Sequence, residues 1–387
     1  MQNSTAVFQL NFSNNINFCA SISRPNTKPQ TVSRDCKNET QKKMKLLIFI
    51  STLIPLLAFG QYDPKMEEYQ HKTIYTKYDT INYHIYSKGK IEEKKNILIF
   101  FHGSGGNPLF MQSIKIDTIK VIENGKSKNK VEKTIFLNTS VPFDLDRIPN
   151  DCIFVLISKK GVPFSADKNS YKPSKNFYKK ESLNYRVWQG DKVINDLTNK
   201  FIKKPKKVLI IGHSEGSDVV AKLGHKNKKI THIGYWAGGA NTQYYDFALF
   251  IQKDVQNGRT TQIEANKSLD SLFIDIKNIE NDPNNSEKQW FENPYRRWSQ
   301  FTEPSINNLL KINKPLFVAV AGKDESVPIE SSLLIPIEFI RHKKENLTFK
   351  IYPEYNHSFA KPPKSENDEW SWEWMNVFED FMKWVEK

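Results

Sequence analysis

From residue 73 onward the chain alternates short unbroken apolar runs with longer stretches in which apolar positions recur every three or four residues. The runs are NILIFFHG (96–103), CIFVLIS (152–158), KVLIIGHS (207–214), ITHIGYWAGG (230–239), PLFVAVAGKD (315–324) and LTFKIYPE (347–354). A strand wetted on one face would alternate apolar and polar residues. Runs without alternation predict strands covered on both faces, and so a mostly parallel sheet with helices packed between and around its strands. TIYTKYD and INYHIYS, ahead of these runs, do show period two and predict an antiparallel hairpin. Helical spacing predicts helices over 183–202, 215–224, about 329–342 and 371–386. The last of these carries Trp374, Val377, Phe378, Phe381, Trp384 and Val385 on one stripe, which suits packing against the sheet.

Two stretches break the alternation. Residues 107–150 include the lysine-rich ENGKSKNKVEK and predict an exposed hairpin or excursion. Residues 240–312 run through the helix-like NTQYYDFALFIQKDV and SLDSLFIDIKNI to QWFENPYRRWSQF, without a clear strand. Inserted between two sheet strands, this segment predicts a helical cap over the strand ends, where a ligand sits in such sheets. Its aromatic residues would offer an apolar wall. Arg296 and Arg297 within it read either as partners for a substrate carboxylate or as a solvated pair.

Composition narrows the class. The 387 residues are 38% hydrophobic, enough for a sizeable core and against disorder of the chain as a whole. The three cysteines, Cys19, Cys36 and Cys152, form no CxxC pair, so neither a disulfide framework nor a thiolate zinc site is expected. The net charge of +14 is scattered. Part of it lies before residue 61, where Arg24, Lys28, Arg34, Lys37, Lys42, Lys43 and Lys45 face only Asp35 and Glu39, and the rest is spread as short lysine clusters among polar residues. That reads as a solvated basic surface; no arginine-rich helix, zinc-finger spacing or ribonucleoprotein motif accompanies it, and no nucleic-acid partner is expected.

LLIFISTLIPLLAFG (46–60) is too short to span a bilayer, which takes about 20 residues. Lys42, Lys43 and Lys45 precede it, and Ala58 and Gly60 end it ahead of Gln61. A basic flank, an apolar centre and a small-x-small exit make a secretory signal peptide at 44–60, with Met44 as initiator and 1–43 as an upstream or disordered segment. The expected product is a secreted or periplasmic chain, 61–387, with no membrane span after cleavage. An uncleaved anchor is the alternative. Cys152, then the remaining cysteine, reads as a buried apolar residue.

Gly212-His213-Ser214-Glu215-Gly216 carries the sharpest chemistry. This G-x-S-x-G follows the strand-like KVLII and precedes the helix-like SDVVAKLG, the setting of a nucleophile elbow, whose glycines avoid collisions across a sharp turn. A serine hydroxyl needs a base, and the base an orienting acid. His357, in the loop YPEYNHSF after the last strand, is the best base. Asp324, directly after PLFVAVAGK, is the best acid, with Glu325 in reserve. His102-Gly103-Ser104-Gly105-Gly106, after NILIFF, is a glycine-rich turn whose Ser104 N–H, with that of Glu215, would form an oxyanion hole.

With Ser214, Asp324 and His357 in this chain order, the segment from about 73 to 386 resembles the α/β-hydrolase superfamily. The stretch SINNLLKINKPLFVAVAGKDESVP through YPEYNHSF is similar to its dienelactone-hydrolase and prolyl-oligopeptidase branches. The resemblance implies an eight-stranded, mostly parallel sheet, the roles just assigned to the three residues, and no metal or organic cofactor. The expected activity is hydrolysis of a small carboxylic ester or acyl substrate by a serine esterase. The alternatives are a small exopeptidase of prolyl-oligopeptidase type and a catalytically silent binding protein on the same fold. The short stretch between Gln61 and the first hairpin leaves no room for a propeller, so a propeller-gated endopeptidase is not expected.

Overall fold

The computed structural model describes residues 7–10, 65–123, 126–363, 365, 368 and 370–387. The expected signal peptide at 44–60 lies outside the described residues. So does the segment 1–43, except for a strand at Val7–Leu10 paired in parallel with Thr134–Leu137.

The central sheet contains β1 (Gln70–Tyr75), β2 (Thr80–Tyr86), β3 (Asn96–Phe101), β4 (Cys152–Ile157), β5 (Lys207–His213), β6 (His232–Trp236), β7 (Leu316–Ala321) and β8 (Leu347–Tyr352), in the spatial order β1-β2-β4-β3-β5-β6-β7-β8. β2 runs against both of its neighbours. The strands from β4 to β8 are mutually parallel. Every position of β3, β4 and β7 is buried, which is why their sequences do not alternate.

Helices α1 (Lys175–Lys180), α2 (Leu183–Lys200) and α3 (Glu215–Lys226) precede the insertion. It holds α4 (Gln243–Gln256), α5 (Gln262–Asn281), α6 (Tyr295–Gln300) and α7 (Ser305–Leu309), and α8 (Ile329–Arg341) and α9 (Trp374–Val385) follow it. The pleat sends Ile97, Ile99 and Phe101 of β3 to one face, against Val193, Val220 and Phe339 of α2, α3 and α8. Leu98 and Phe100 point the other way, toward Val377, Phe378 and Phe381 of α9. Cys152 is buried in that second core, and burial pushes its thiol up to about 12. The last helix starts at Trp374 rather than 371, because Ser371–Trp372 is taken up pairing with Ala360–Lys361.

The lysine-rich excursion is a long antiparallel ribbon, Phe110–Glu123 against Lys126–Thr139, in register from Phe110 opposite Thr139 to Glu123 opposite Lys126. After it the chain returns through Val141, Phe143, Leu145 and Ile148, all buried on the α9 face. Between β6 and β7 lie α4, α5, a two-stranded turn at Gln289–Trp290 and Asn293–Pro294, α6 and α7. This segment has its own small core, in which Tyr244, Ile279 and Trp298 are buried. Among the described residues no helix is long and apolar enough to cross a membrane.

Candidate active site

β5 ends at His213 and α3 begins at Glu215, so the chain turns within the single residue Ser214, at φ 56° and ψ −127°. A serine with positive φ is strained, and it persists here because its neighbours fix it. The Ser214 N–H donates to the Trp236 carbonyl at 3.0 Å, and its own carbonyl accepts from the N–H and the hydroxyl of Ser217 at 2.8 and 2.6 Å. A Cβ on Gly212 would stand 2.0 Å from the Gly216 carbonyl oxygen, and one on Gly216 would stand 2.0 Å from that of Phe101. Close approach of backbones, rather than unusual dihedrals, therefore requires both glycines. The serine is left at the N-terminus of α3, whose first N–H groups have no intrahelical acceptor and favour negative charge.

Asp324 follows the end of β7, where its Oδ1 accepts the N–H groups of Ser326 and Val327, both at 2.8 Å. Both carboxylate oxygens lie 2.9 Å from Nδ1 of His357. His357 sits in the loop after β8, tied at its neighbour by Asn356 Oδ1, which accepts from the N–H groups of Ser358 and Ala360. Burial alone would lower the imidazole, but Asp324, with Glu325 behind it, raises it above its ordinary value. Glu325, the reserve acid, accepts the backbone N–H of His357 at 3.1 Å instead of meeting its ring.

Ser214 and His357 both line a cavity of about 130 Å³, together with Ser104 and Glu215. No hydrogen bond joins Ser214 Oγ to the imidazole among the described residues; such bonds often tighten only when substrate is bound. The glycine-rich turn lies against the elbow, since a Cβ on Gly103 would touch Ser214 Cβ at 3.2 Å. Phe247, Phe250 and Trp298, from α4 and α6, form an aromatic part of the lining.

Several participants were invisible in the sequence. His213 Nε2 meets the His357 carbonyl at 2.8 Å, and burial, with His357 nearby, pushes its ring down to about 3, so it packs as a neutral support. More unexpected is a buried ion cluster beside Ser214. Lys159 Nζ lies 3.0 Å from Glu215 and 2.7 Å from Glu181, while Arg297 grips Glu215 through Nε and Nη2 at 2.8 and 2.5 Å. Burial would raise Glu215, but Lys159 and Arg297 hold it well below the usual carboxylate range. Arg186 is buried in the same group, and neither of its terminal nitrogens finds a side-chain or backbone acceptor. Arg297 thus gives two of its three nitrogens to Glu215, while Nη1 is buried without an acceptor. Lysine and arginine are ordinarily exposed, so only folding could reveal this cluster.

Residues 295–386 match the model of the dienelactone hydrolase family. That span contains β7, Asp324, β8, His357 and α9, and it joins a sheet of order β1-β2-β4-β3-β5-β6-β7-β8 with a G-x-S-x-G elbow after β5. The chain has the α/β-hydrolase fold. Solved α/β-hydrolase structures similar to the chain include Porphyromonas gingivalis dipeptidyl peptidase 4, with TM-score 0.45 and 8% identity over 82% of this chain and 35% of that one. Pyrococcus horikoshii acylaminoacyl peptidase gives 0.44 and 11%, over 75% and 38%. A Pyrococcus furiosus esterase gives 0.41 and 12%, over 82% and 90%. The chain therefore spans little more than a third of the length of the two peptidases. No curated protein matches the chain.

Proposed function

We propose that the protein is an exported serine hydrolase that cleaves carboxylic esters of small molecules through an acyl-enzyme. The reading rests on one observation: the strained Ser214 opens onto the same cavity as His357, whose Nδ1 is held by Asp324. Ser214 Oγ attacks the carbonyl carbon while Nε2 of His357 takes its proton. The carbonyl oxygen, now an anion, is received by the backbone N–H groups of Ser104 and Glu215. As the intermediate collapses, the C–O bond to the leaving group breaks and His357 returns the proton to the departing alkoxide, releasing an alcohol. Water, deprotonated by the same imidazole, then hydrolyses the acyl-serine and frees the acid. Asp324 orients the ring and stabilises its cationic form. The ion cluster sets the backbone of Glu215, and with it one donor of the hole.

A panel of p-nitrophenyl esters and aminoacyl p-nitroanilides separates esterase from exopeptidase, with Ser214→Ala as control. A fluorophosphonate should label Ser214 in the native protein and not in Ser214→Ala; equal labelling of both would put the nucleophile elsewhere. Substitution of Phe250 in the aromatic lining is expected to change kcat/KM between short and long acyl esters while labelling persists. The basic flank, apolar run and small-residue exit at 42–60 support a secreted or periplasmic location.

A further inference from the structure

Besides Glu215, three carboxylates line the cavity: Asp218, Asp246 and Glu325. None of the three forms an ion pair with a described residue. Arg297, the lysine- or arginine-type cation of the lining, is paired with Glu215 through Nε and Nη2, with Nη1 left without an acceptor, so the carboxylates of the lining outnumber its cations. Glu325 is partly occupied by the His357 N–H, and Asp218 accepts the hydroxyl of Ser305. Asp246, in the first turn of α4, differs from both. It is 6% exposed, and its Oδ1 accepts no hydrogen bond.

A buried carboxylate oxygen without a donor costs free energy in the empty protein, and a ligand that brings the donor recovers it. Burial, reinforced by Asp218 and Asp324 against the Ser331 hydroxyl, pushes Asp246 up to about 7; burial likewise takes Asp218 to about 7. Once ionised, Asp246 would repel an anionic group placed against it, and a neutral acyl chain would leave its Oδ1 unsatisfied. An ammonium supplies both the opposite charge and up to three donors. Phe247, Phe250 and Trp298 in the same lining add apolar surface for the rest of the ligand and π faces that attract a cation.

From this juxtaposition we infer that the cavity takes a substrate bearing a protonated amine, received by Asp246 with Asp218 and Glu325 beside it. The inference rests on the hydrolase reading of Ser214 and names its substrate class; the bond cleaved and the proton movements are unchanged.

The test compares purified full-length protein on alanine benzyl ester, propionic acid benzyl ester and N-acetylalanine benzyl ester, which differ at the amine alone. A second pair, 2-aminoethyl acetate and butyl acetate, moves the ammonium to the leaving group. The amine-bearing member of at least one set should have kcat/KM tenfold or more above its neutral counterparts, and Asp246→Asn or Asp218→Asn should bring that ratio close to one. The ratio in the native protein does not depend on either variant folding. Neutral esters cleaved as well as their amine counterparts in both sets, or a preference retained in both variants, overturns the inference. Fluorophosphonate labelling of Ser214 without hydrolysis of any of these esters also overturns it, but leaves the nucleophile standing. Absence of labelling sinks the hydrolase reading itself, and the inference with it.

Discussion

At Asp324 the backbone N–H groups of Ser326 and Val327 hold a carboxylate oxygen where it can also meet the His357 ring. Asp324→Asn should preserve the fold, because the amide oxygen can still accept those bonds, yet favour the wrong imidazole tautomer. In a serine protease with the same constellation the equivalent change costs about 10⁴ in kcat, and a loss of that order is expected here, read from ester turnover. The charge on Asp324 also sets a pH dependence. His357 is raised above its ordinary value of 6.5, and in the proposed mechanism the neutral ring is the base, so kcat/KM should climb with pH through a midpoint above 6.5 and be flat beyond it. For stability the sign is the reverse. The Asp324–His357 attraction contributes fully below the unfolded pKa and is lost as pH rises through the folded one. A kcat/KM midpoint below 6.5 would remove His357 as the base. At Gly216 the constraint is steric. A methyl 2.0 Å from the Phe101 carbonyl oxygen cannot be absorbed by a flexible neighbour, so Gly216→Ala should cost about 3 kcal/mol in urea unfolding, at the upper end for overpacking, and displace Ser214.

Among the elements, α3 and α6 meet through the Glu215–Arg297 pair, and Lys159, just beyond β4, closes the group from the opposite side. Two carboxylates and three cations, including Arg186, are buried together. A hydrophobic replacement of the whole set need not destabilise, but removal of one member leaves uncompensated charge. Lys159→Met should therefore lower stability by about 3–5 kcal/mol, measured by denaturant titration, since it strips both Glu181 and Glu215 of a partner. The insertion is anchored by this pair to α3, the helix that starts just after Ser214, so small shifts of α6 reach the backbone next to Ser214. The strands and main helices were legible because burial on two faces removes alternation from β3, β4 and β7, and burial on one face gives α9 its stripe. The start of α9 lies a turn later than the spacing predicts, because Ser371–Trp372 pairs with Ala360–Lys361, a partner ten to twelve residues away in sequence.

Across the whole molecule, buried titratable groups pull stability in opposite directions. His84 and His213 are pushed down to about 3, by burial first and by neighbouring histidines second. Between there and 6.5 the unfolded chain binds their protons, and stability falls as pH falls. Asp218 and Asp246, raised to about 7 chiefly by burial, act the other way: between the ordinary carboxylate value of 3.8 and about 7 the folded chain holds protons that the unfolded chain has lost, so stability falls as pH rises through that window and levels off beyond it. Asp246→Asn should accordingly raise Tm more at pH 8 than at pH 5. An equal shift at both would show that Asp246 is not held protonated. The proposed export has its own test: N-terminal sequencing of protein from the envelope or medium is expected to start at or near Gln61, and retention of residues 1–43 would refute that processing. By itself the sequence determined the α/β alternation, the elbow at Ser214 and the chain order of Ser214, Asp324 and His357, because these follow from local steric rules and from which positions must be apolar. Only the tertiary structure decided that Arg297 serves Glu215, that Lys159 and Arg186 are buried, and that Asp218 and Asp246 face the same cavity as Ser214. Those outcomes depend on which polar side chains the packing of the insertion over α3 and the sheet excludes from water, and nothing in the residue types or their spacing carries that information.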